Sequence, residues 1–148
     1  MSRARVDYQA FAAEFWRFGQ AGVLGFFADA GVLTVLVSVL HWGLYSGRAV
    51  SFAFAVTVTW YLNRRWTFAR HASVSRQREY LNYVTVQTAG AAVNLGVYSG
   101  VIELVPQFRA FPVIPLAIGS VVAMVFNFLA SRRFVFSERQ RAQTPFRN

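Results

Sequence analysis

The chain lacks cysteine and lysine and is poor in acidic residues. All fifteen basic residues among its 148 are arginine, against six aspartate and glutamate residues. Without cysteine, disulfides and thiolate metal sites are excluded, although the redox compartment stays open. The sequence also has no glycine-rich phosphate loop, no histidine-rich metal spacing and no Ser/His/Asp order. We therefore expect no cofactor, no metal and no bond-making catalysis.

Charge of any kind is scarce, whereas apolar residues are abundant. Only 14% of residues are charged, 55% are hydrophobic, and the mean hydropathy is +0.36. A soluble core of one domain could not absorb so much apolar surface. The isoelectric point near 11.3 would also suit a nucleic-acid binder. Because the arginines alternate with lipid-length apolar runs, however, membrane headgroups are the expected partner and nucleic acid is not.

The apolar runs predict an all-α polytopic membrane protein with four transmembrane helices. Each run approaches the roughly 20 residues that a helix needs to cross the hydrocarbon core. Thirteen arginines lie in the N-terminal segment, the central loop and the C-terminal tail, and only Arg48 and Arg109 lie in the two opposite loops. The positive-inside rule then places both termini in the cytoplasm. The predicted spans cover residues of about 18–41, 48–64, 80–105 and 111–131.

An internal repeat is visible within this single predicted domain. At an offset of 65 residues the first span overlays the third, so that Gly25 pairs with Gly90 and Asp29 with Asn94. At an offset of 68 the ends of the second and fourth spans align as well. With two spans in each half, the sequence predicts tandem parallel repeats. Their bounds are about 14–70 and 79–139.

Asp29 is a formal charge deep inside a predicted span. It follows Arg17 by twelve residues, or about 18 Å along a helix. With no arginine expected at its depth, hydrogen bonds would have to satisfy it. The candidates are Asn94, Asn127, Thr59 and Tyr98. Three roles are open: binding a sugar hydroxyl, carrying a proton, or anchoring one helix to another.

Two arginine pairs follow the second and fourth spans at matching positions, Arg64-Arg65 and Arg132-Arg133. Guanidinium groups form forked hydrogen bonds to phosphate, so the pairs are candidate sites for a phospholipid-like anion. The alternative role is to set the membrane topology. Residues 65–68 and 133–136 alternate aromatic or β-branched side chains, which favours a short cytoplasmic ribbon.

These motifs together resemble the GtrA-like family, over about residues 15–136. The resemblance implies a protein of the bacterial cytoplasmic membrane that flips a polyprenyl-phosphate-linked monosaccharide to the outer leaflet for cell-surface polysaccharide synthesis or modification. It also implies a membrane glycosyltransferase as a partner. The residues that fall in the motifs are Arg17, Asp29, Asn63, Arg64, Arg65, Arg132 and Arg133. Asn94 and Asn127 lie on the helix faces that line the same polar seam. Ser131 stands where the first repeat has Asn63, which weakens the symmetry of any site.

Two other functions remain open at this point. Some relatives are proposed to be membrane anchors that recruit a glycosyltransferase without transporting anything. A small proton-coupled multidrug transporter also has four short spans and a carboxylate in the first. The strong arginine bias and the tandem repeat argue against the latter. Because four helices are few for a complete pathway, we also expect a homo-oligomer.

Overall fold

The structure, a computed structural model, describes residues 2–71 and 75–136, with side chains from Tyr8 onward. Within these ranges every regular element is a helix, as predicted, and there is no β-strand. The described residues divide into two compact units, 2–71 and 75–136. The division falls in the predicted central loop, between the two sequence repeats.

The first unit is a pair of helices, each of which ends in a π-helical turn. Helix α1 covers Ser2–Thr34 and continues into a π turn at Val35–Val39. Helix α2 covers Leu44–Leu62 and continues into a π turn at Asn63–Thr67. No proline interrupts α1, so the N-terminal segment and the predicted first span form one helix of 33 residues, about 50 Å long at the standard rise.

A left-handed residue reverses the chain between α1 and α2. His41 has a φ of 56°, and the amide of Trp42 donates to the carbonyl of Leu36 at 2.9 Å. In the usual left-handed helix end, which favours glycine, the corresponding bond spans five residues; here it spans six, because the helix ends in a π turn. The turn frees the chain to start α2 antiparallel to α1.

The second unit has the same order of elements. Helix α3 covers Arg76–Leu104, a 3₁₀ helix covers Pro106–Ala110, and helix α4 covers Val113–Ala130. A π turn at Ser131–Val135 ends α4. Helix α3 stops two residues before Pro106 because the residue preceding a proline is disfavoured in the helical conformation. Pro115 lies in the first turn of α4, where its missing N–H has no carbonyl to bond.

Glycine allows the two helices of each unit to approach closely. A Cβ added at Gly25 of α1 would overlap the methyl group of Thr59 in α2. A Cβ added at Gly90 of α3 would overlap the amide of Asn127 in α4. The internal alignment pairs Gly25 with Gly90 and Thr59 with Asn127. Each unit therefore makes its closest packing at corresponding positions, in the manner of small-residue interfaces in membranes.

Large apolar side chains cover the outer faces of the helices. On α1 and α4 these include Phe26, Phe27, Val121, Val122 and Leu129, all exposed in the isolated chain. Within the described residues, two helices meet a combined criterion of length and hydropathy for crossing a membrane, Tyr8–Val39 and Val113–Val135. The other two predicted spans correspond to helices α2 and α3, and the count of four spans stays a prediction.

The predicted ribbon after each second helix is wrong. Residues 65–68 and 133–136 lie within or just beyond the π turns and form no strand. The amide of Phe68 donates to the carbonyl of Asn63 at 2.7 Å, and that of Phe136 to the carbonyl of Ser131 at 3.0 Å. These bonds span five residues. They widen the last turn of the helix, so the alternating side chains reflect helix termination and not sheet pairing.

Candidate functional site

An aromatic contact fixes the end of each second helix against the first helix of its unit. The rings of Phe18 and Phe68 have centroids 6.2 Å apart, and those of Tyr83 and Phe136 are 6.3 Å apart. All four side chains are buried. The internal alignment pairs Phe18 with Tyr83 and Phe68 with Phe136. Aromatic pairs at this distance stabilise beyond their area of burial, so each π turn is held at a defined height on its neighbouring helix.

The π turn of the first unit buries two polar side chains that bond to each other and leaves an aromatic side chain exposed. The hydroxyl of Thr67 donates to Oδ1 of Asn63 at 2.7 Å, and both side chains are buried. Between them in sequence, Trp66 is 41% exposed. Asn63 is therefore an internal support of the turn. The equivalent pair in the second unit, Ser131 and Val135, is buried but cannot form this side-chain bond.

Beside this turn the first unit contains a groove of about 400 Å³. One wall comes from the N-terminal half of α1 and the other from the π turn and the residues that follow it. We call it the basic groove. Its lining residues are Gln9, Ala10, Ala13, Glu14, Arg17, Trp66, Thr67, Ala69 and Arg70.

Among the described residues, three charged side chains line the basic groove. Arg17 and Arg70 are exposed, whereas the side chain of Glu14 is only 13% exposed. Its Oε1 lies 3.9 Å from Nδ1 of His71. Two arginines and a tryptophan that line one groove are chemically suited to an anion such as a phosphate. The carboxylate at its wall is an acceptor for hydroxyl groups.

Arg64 and Arg65 lie outside this groove and contact aromatic rings instead. The guanidinium carbon of Arg64 is 5.9 Å from the ring centroid of Trp60, and that of Arg65 is 5.5 Å from the ring of Tyr61. Each arginine thus covers the ring one helical turn before it, at a distance typical of cation–π contacts. In the second unit Arg132 and Arg133 occupy the matching turn and are exposed.

Asp29 has a cationic partner, contrary to the expectation from sequence. Nη1 of Arg48, in the first turns of α2, donates to Oδ2 of Asp29. The Asp29 side chain is 16% exposed and that of Arg48 is 53% exposed. Oδ1 of Asp29 is buried and has no hydrogen-bond partner within the described residues. The long arginine side chain reaches along the helix pair, which depth counted along the sequence does not reveal.

Asn94 and Asn127 lie on opposite sides of the interface between α3 and α4. Asn127 packs against Gly90, and Asn94 packs against Gly119. The Oδ1 atoms of both amides are buried and have no hydrogen-bond partner within the described part of the chain. The predicted polar seam of the second unit is thus an interface of two amides and two glycines.

The second unit does not repeat the arginines of the basic groove. In the internal alignment Arg17 corresponds to Asn82, and Arg70 corresponds to Glu138, which lies outside the described residues. Glu14 corresponds to Glu79, which is 1% exposed. The acidic position is shared by the two repeats, whereas the two guanidinium groups belong to the first.

Sequence reasoning identified Arg17 but missed the residues that surround it. Glu14 carried a signal, since it pairs with Glu79 in the repeat. In the sequence, Arg70 is one of five arginines in the central loop, and Trp66 belongs to the motif after the second span and to a predicted inner aromatic belt. Their proximity depends on the π turn, which rotates Trp66 and Arg70 toward α1 and which no residue pattern predicted.

A comparison with protein-family models gives one match that covers most of the chain. The model is described as the GtrA/DPMS transmembrane domain, and it matches residues 17–136. The matched region begins at Arg17 and ends at Phe136, just after the second π turn. It therefore includes both helical pairs and all the motifs discussed above.

Proposed function

The chain belongs to the GtrA/DPMS transmembrane-domain family, and from this membership we propose that it flips a polyprenyl-phosphate-linked monosaccharide from the cytoplasmic to the outer leaflet. The family is one of membrane domains, and the exposed apolar helices of this chain agree with that setting. The product would serve the synthesis or modification of a cell-surface polysaccharide.

The observation that carries this proposal is the basic groove. A lipid-linked sugar combines an anionic phosphate, a polar head and a long apolar tail. Arg17 and Arg70 offer forked donors to the phosphate, and the half-exposed Trp66 offers an amphipathic ring of the kind that lies at headgroup level. The apolar faces of α1 and α2 would contact the polyprenyl tail.

Polar residues farther along the helices are candidate contacts for the headgroup as it crosses the membrane. In the first unit the Asp29–Arg48 ion pair lies toward the other end of α1, and in the second the amides of Asn94 and Asn127 line the helix interface. We propose that these groups contact the headgroup in transit. Arg64, Arg65, Arg132 and Arg133 would attract the anionic lipid to the membrane surface.

The orientation and partners follow from the same proposal. Both termini and the central loop would be cytoplasmic in the bacterial inner membrane, which places the basic groove where the lipid-linked sugar is made. A membrane glycosyltransferase would supply the substrate, and a homo-oligomer would complete the pathway.

The proposal is tested by reconstituting the full chain into liposomes that contain a fluorescently tagged polyprenyl-phosphate-linked glucose. A membrane-impermeant quencher then reports the fraction of label in the outer leaflet over time. We expect protein-dependent movement between leaflets. If several sugars are tried and the folded protein moves none of them, the chain is a non-transporting anchor and its glycosyltransferase partner should be sought by co-purification.

The Asp29–Arg48 pair also bears on the multidrug alternative. That alternative depended on a carboxylate in the first span that would exchange protons. Because Asp29 has an arginine partner, an ion pair accounts for the carboxylate without proton exchange. The observation favours the sugar-lipid proposal over a proton-coupled antiporter.

A further inference from the structure

The Asp29–Arg48 pair uses only part of the hydrogen-bonding capacity of its two side chains. A guanidinium group has five N–H donors, and among the described residues the side chain of Arg48 donates one bond, from Nη1 to Oδ2 of Asp29. Oδ1 of Asp29 is buried and accepts no hydrogen bond within the described residues. A forked arrangement would engage both carboxylate oxygens. The pair is therefore joined at one point, and the guanidinium group retains donors for a second acceptor.

The second unit has a different ion pair near the turn between its two helices. Nη2 of Arg109 lies 3.2 Å from Oε1 and 3.4 Å from Oε2 of Glu103. The side chains of Arg109 and Glu103 are 61% and 73% exposed, and exposed pairs contribute little to stability. Because the surroundings already reach both side chains, loss of Glu103 would open no new site. This pair is a reference for the mostly covered Asp29.

The Asp29–Arg48 pair and the basic groove lie toward opposite ends of the first unit. Asp29 follows Arg17 by twelve residues on α1, which corresponds to about 18 Å. Arg48 lies in the second turn of α2, whereas the groove includes residues that follow the other end of α2. The first unit therefore has an arginine available to an anion toward each end. At the end away from the groove, that arginine is paired with a carboxylate of the same chain.

We propose that Arg48 is a second binding residue for the lipid phosphate and that Asp29 competes with the phosphate for it. The inference rests on the proposed function and assigns the step in which the lipid leaves the protein. A phosphate that reaches this end of the first unit accepts the unused N–H donors of Arg48 and displaces Oδ2 of Asp29. The carboxylate then returns to Arg48, and the phosphate is released into the leaflet.

A competing carboxylate lowers the affinity for phosphate where release is needed. An arginine without such a competitor binds phosphate through forked, charge-assisted bonds, and slow release of the product limits the rate of many proteins. Asp29 is part of the same chain, so its effective concentration beside Arg48 is high. Its side chain is only 16% exposed, so water screens its attraction to Arg48 less than in an exposed pair. In the orientation proposed above, this end of α1 lies toward the outer leaflet.

The first part of the test measures binding to a full chain whose basic groove is disabled by Arg17→Gln with Arg70→Gln. Native mass spectrometry in phosphatidylcholine nanodiscs measures the affinity of this background for polyprenyl-phosphate-linked glucose. We expect the further change Asp29→Asn to tighten binding by about fivefold, the factor that corresponds to one partly covered ion pair. Adding Arg48→Gln should abolish this gain, because the site has then lost its cation.

The second part of the test measures transport, which separates competition from a purely structural role. In liposomes, Asp29→Asn with an intact groove should lower the half-saturating lipid concentration and also lower the maximal rate, because the lipid binds more tightly and leaves more slowly. A loss of folded protein would lower the maximal rate and leave the half-saturating concentration unchanged. The matched control is Glu103→Gln, which removes the same charge from the exposed pair of the second unit and should change neither quantity.

Ordinary phospholipids present the same phosphate chemistry. Phosphatidylglycerol also has one phosphate with a single negative charge, so its affinity is measured in the same nanodiscs and variants. Tighter binding of the sugar lipid in Asp29→Asn supports the inference. Tighter binding of phosphatidylglycerol alone would assign Arg48 to ordinary headgroups and overturn it.

A conservative variant keeps the test decisive if Arg48→Gln does not fold. Arg48→Lys retains a cation beside Asp29 and removes the forked donors. In the groove-disabled chain with Asp29→Asn, it should bind the sugar lipid more weakly than the chain that retains Arg48. Unchanged or weaker binding in Asp29→Asn, or an unchanged half-saturating concentration in transport, would overturn the inference. If the protein moves no lipid at all, translocation is rejected, while the binding measurement still decides whether Asp29 and the phosphate compete for Arg48.

Discussion

At the scale of single residues, Asp29 shows where reasoning from sequence stops. Spacing along the sequence predicts its depth in the first span. Spacing does not predict its partner, because Arg48 belongs to the loop that follows that span. An arginine side chain extends several ångströms along a helix, so distance along the chain does not exclude such a pair.

The ion pair predicts an unequal response to loss of each partner. Arg48→Gln leaves the mostly covered Asp29 carboxylate without its cation, whereas Asp29→Asn leaves Arg48, which is 53% exposed, free to turn to water or lipid headgroups. We expect Arg48→Gln to be the more destabilising by about 1 kcal/mol, a value reduced for the exposure of the arginine. Thermal unfolding of the detergent-solubilised variants measures the difference.

The double variant supplies the control for that pair. Asp29→Asn combined with Arg48→Gln removes the unpaired charge, so its melting temperature should recover toward that of Asp29→Asn alone. Strictly additive losses in the double variant would show that the two side chains do not interact.

At the scale of helices, hydropathy predicted the elements but not their ends. The four helices lie where the apolar runs are. In lipid the backbone N–H and C=O groups must bond to each other, and a helix achieves this within a single segment. The π turns at Asn63–Thr67 and Ser131–Val135 had no such signal. Four residues in which aromatic or β-branched side chains alternate with others are compatible with a strand and equally with a π turn. Only the aromatic contacts of Phe68 and Phe136 with the first helix of each unit decide between them.

Close packing of α3 against α4 predicts a position-specific effect of adding one methyl group. At Gly119 a Cβ would lie 2.8 Å from the backbone carbonyl oxygen of Asn94, which cannot move without the helix. We expect Gly119→Ala to lower the free energy of unfolding by about 1–3 kcal/mol. Thermal unfolding in detergent, or hydrogen exchange of α4, measures this.

Gly96 is the matched control in the same unit. A Cβ there would meet nothing within 4 Å, and alanine is the better helix former by about 0.5–1 kcal/mol. Gly96→Ala should therefore leave stability unchanged or raise it slightly. Equal losses at Gly96 and Gly119 would mean that helix packing is not the cause.

At the scale of the whole molecule, two units share a plan and differ in their charges. Corresponding positions supply the close glycine contacts, the aromatic pairs and the π turns. The first unit combines two arginines, Arg17 and Arg70, in a groove, and the second unit has Asn82 at the position of Arg17. The sequence shows the common plan as an internal repeat, because packing positions tolerate few residue types. The sequence does not predict the groove, because the groove depends on how the π turn orients Trp66 and Arg70 toward α1.

The predicted topology is open to a simple test because the chain has no cysteine. Single cysteines introduced by Gln77→Cys and Gln107→Cys fall at exposed positions, the first in the first turn of α3 and the second in the 3₁₀ helix that follows α3. With four spans and cytoplasmic termini, a membrane-impermeant maleimide added to intact cells with a permeable outer envelope should label the second variant and spare the first. Both should react after lysis. Labelling of both in intact cells, or of Gln77→Cys alone, would contradict the topology.

The central claim is that the basic groove of the first unit receives a lipid-linked sugar that the protein then flips. The most direct measurement is the initial rate of flipping of tagged polyprenyl-phosphate-linked glucose in liposomes, compared between two double variants of equal charge change. Arg17→Gln with Arg70→Gln removes the guanidinium groups of the groove, and Arg132→Gln with Arg133→Gln removes the pair of the second unit. We expect a loss of at least about tenfold for the first double variant and a smaller loss for the second. An unimpaired rate in the groove variant, with the protein folded and inserted, would contradict it.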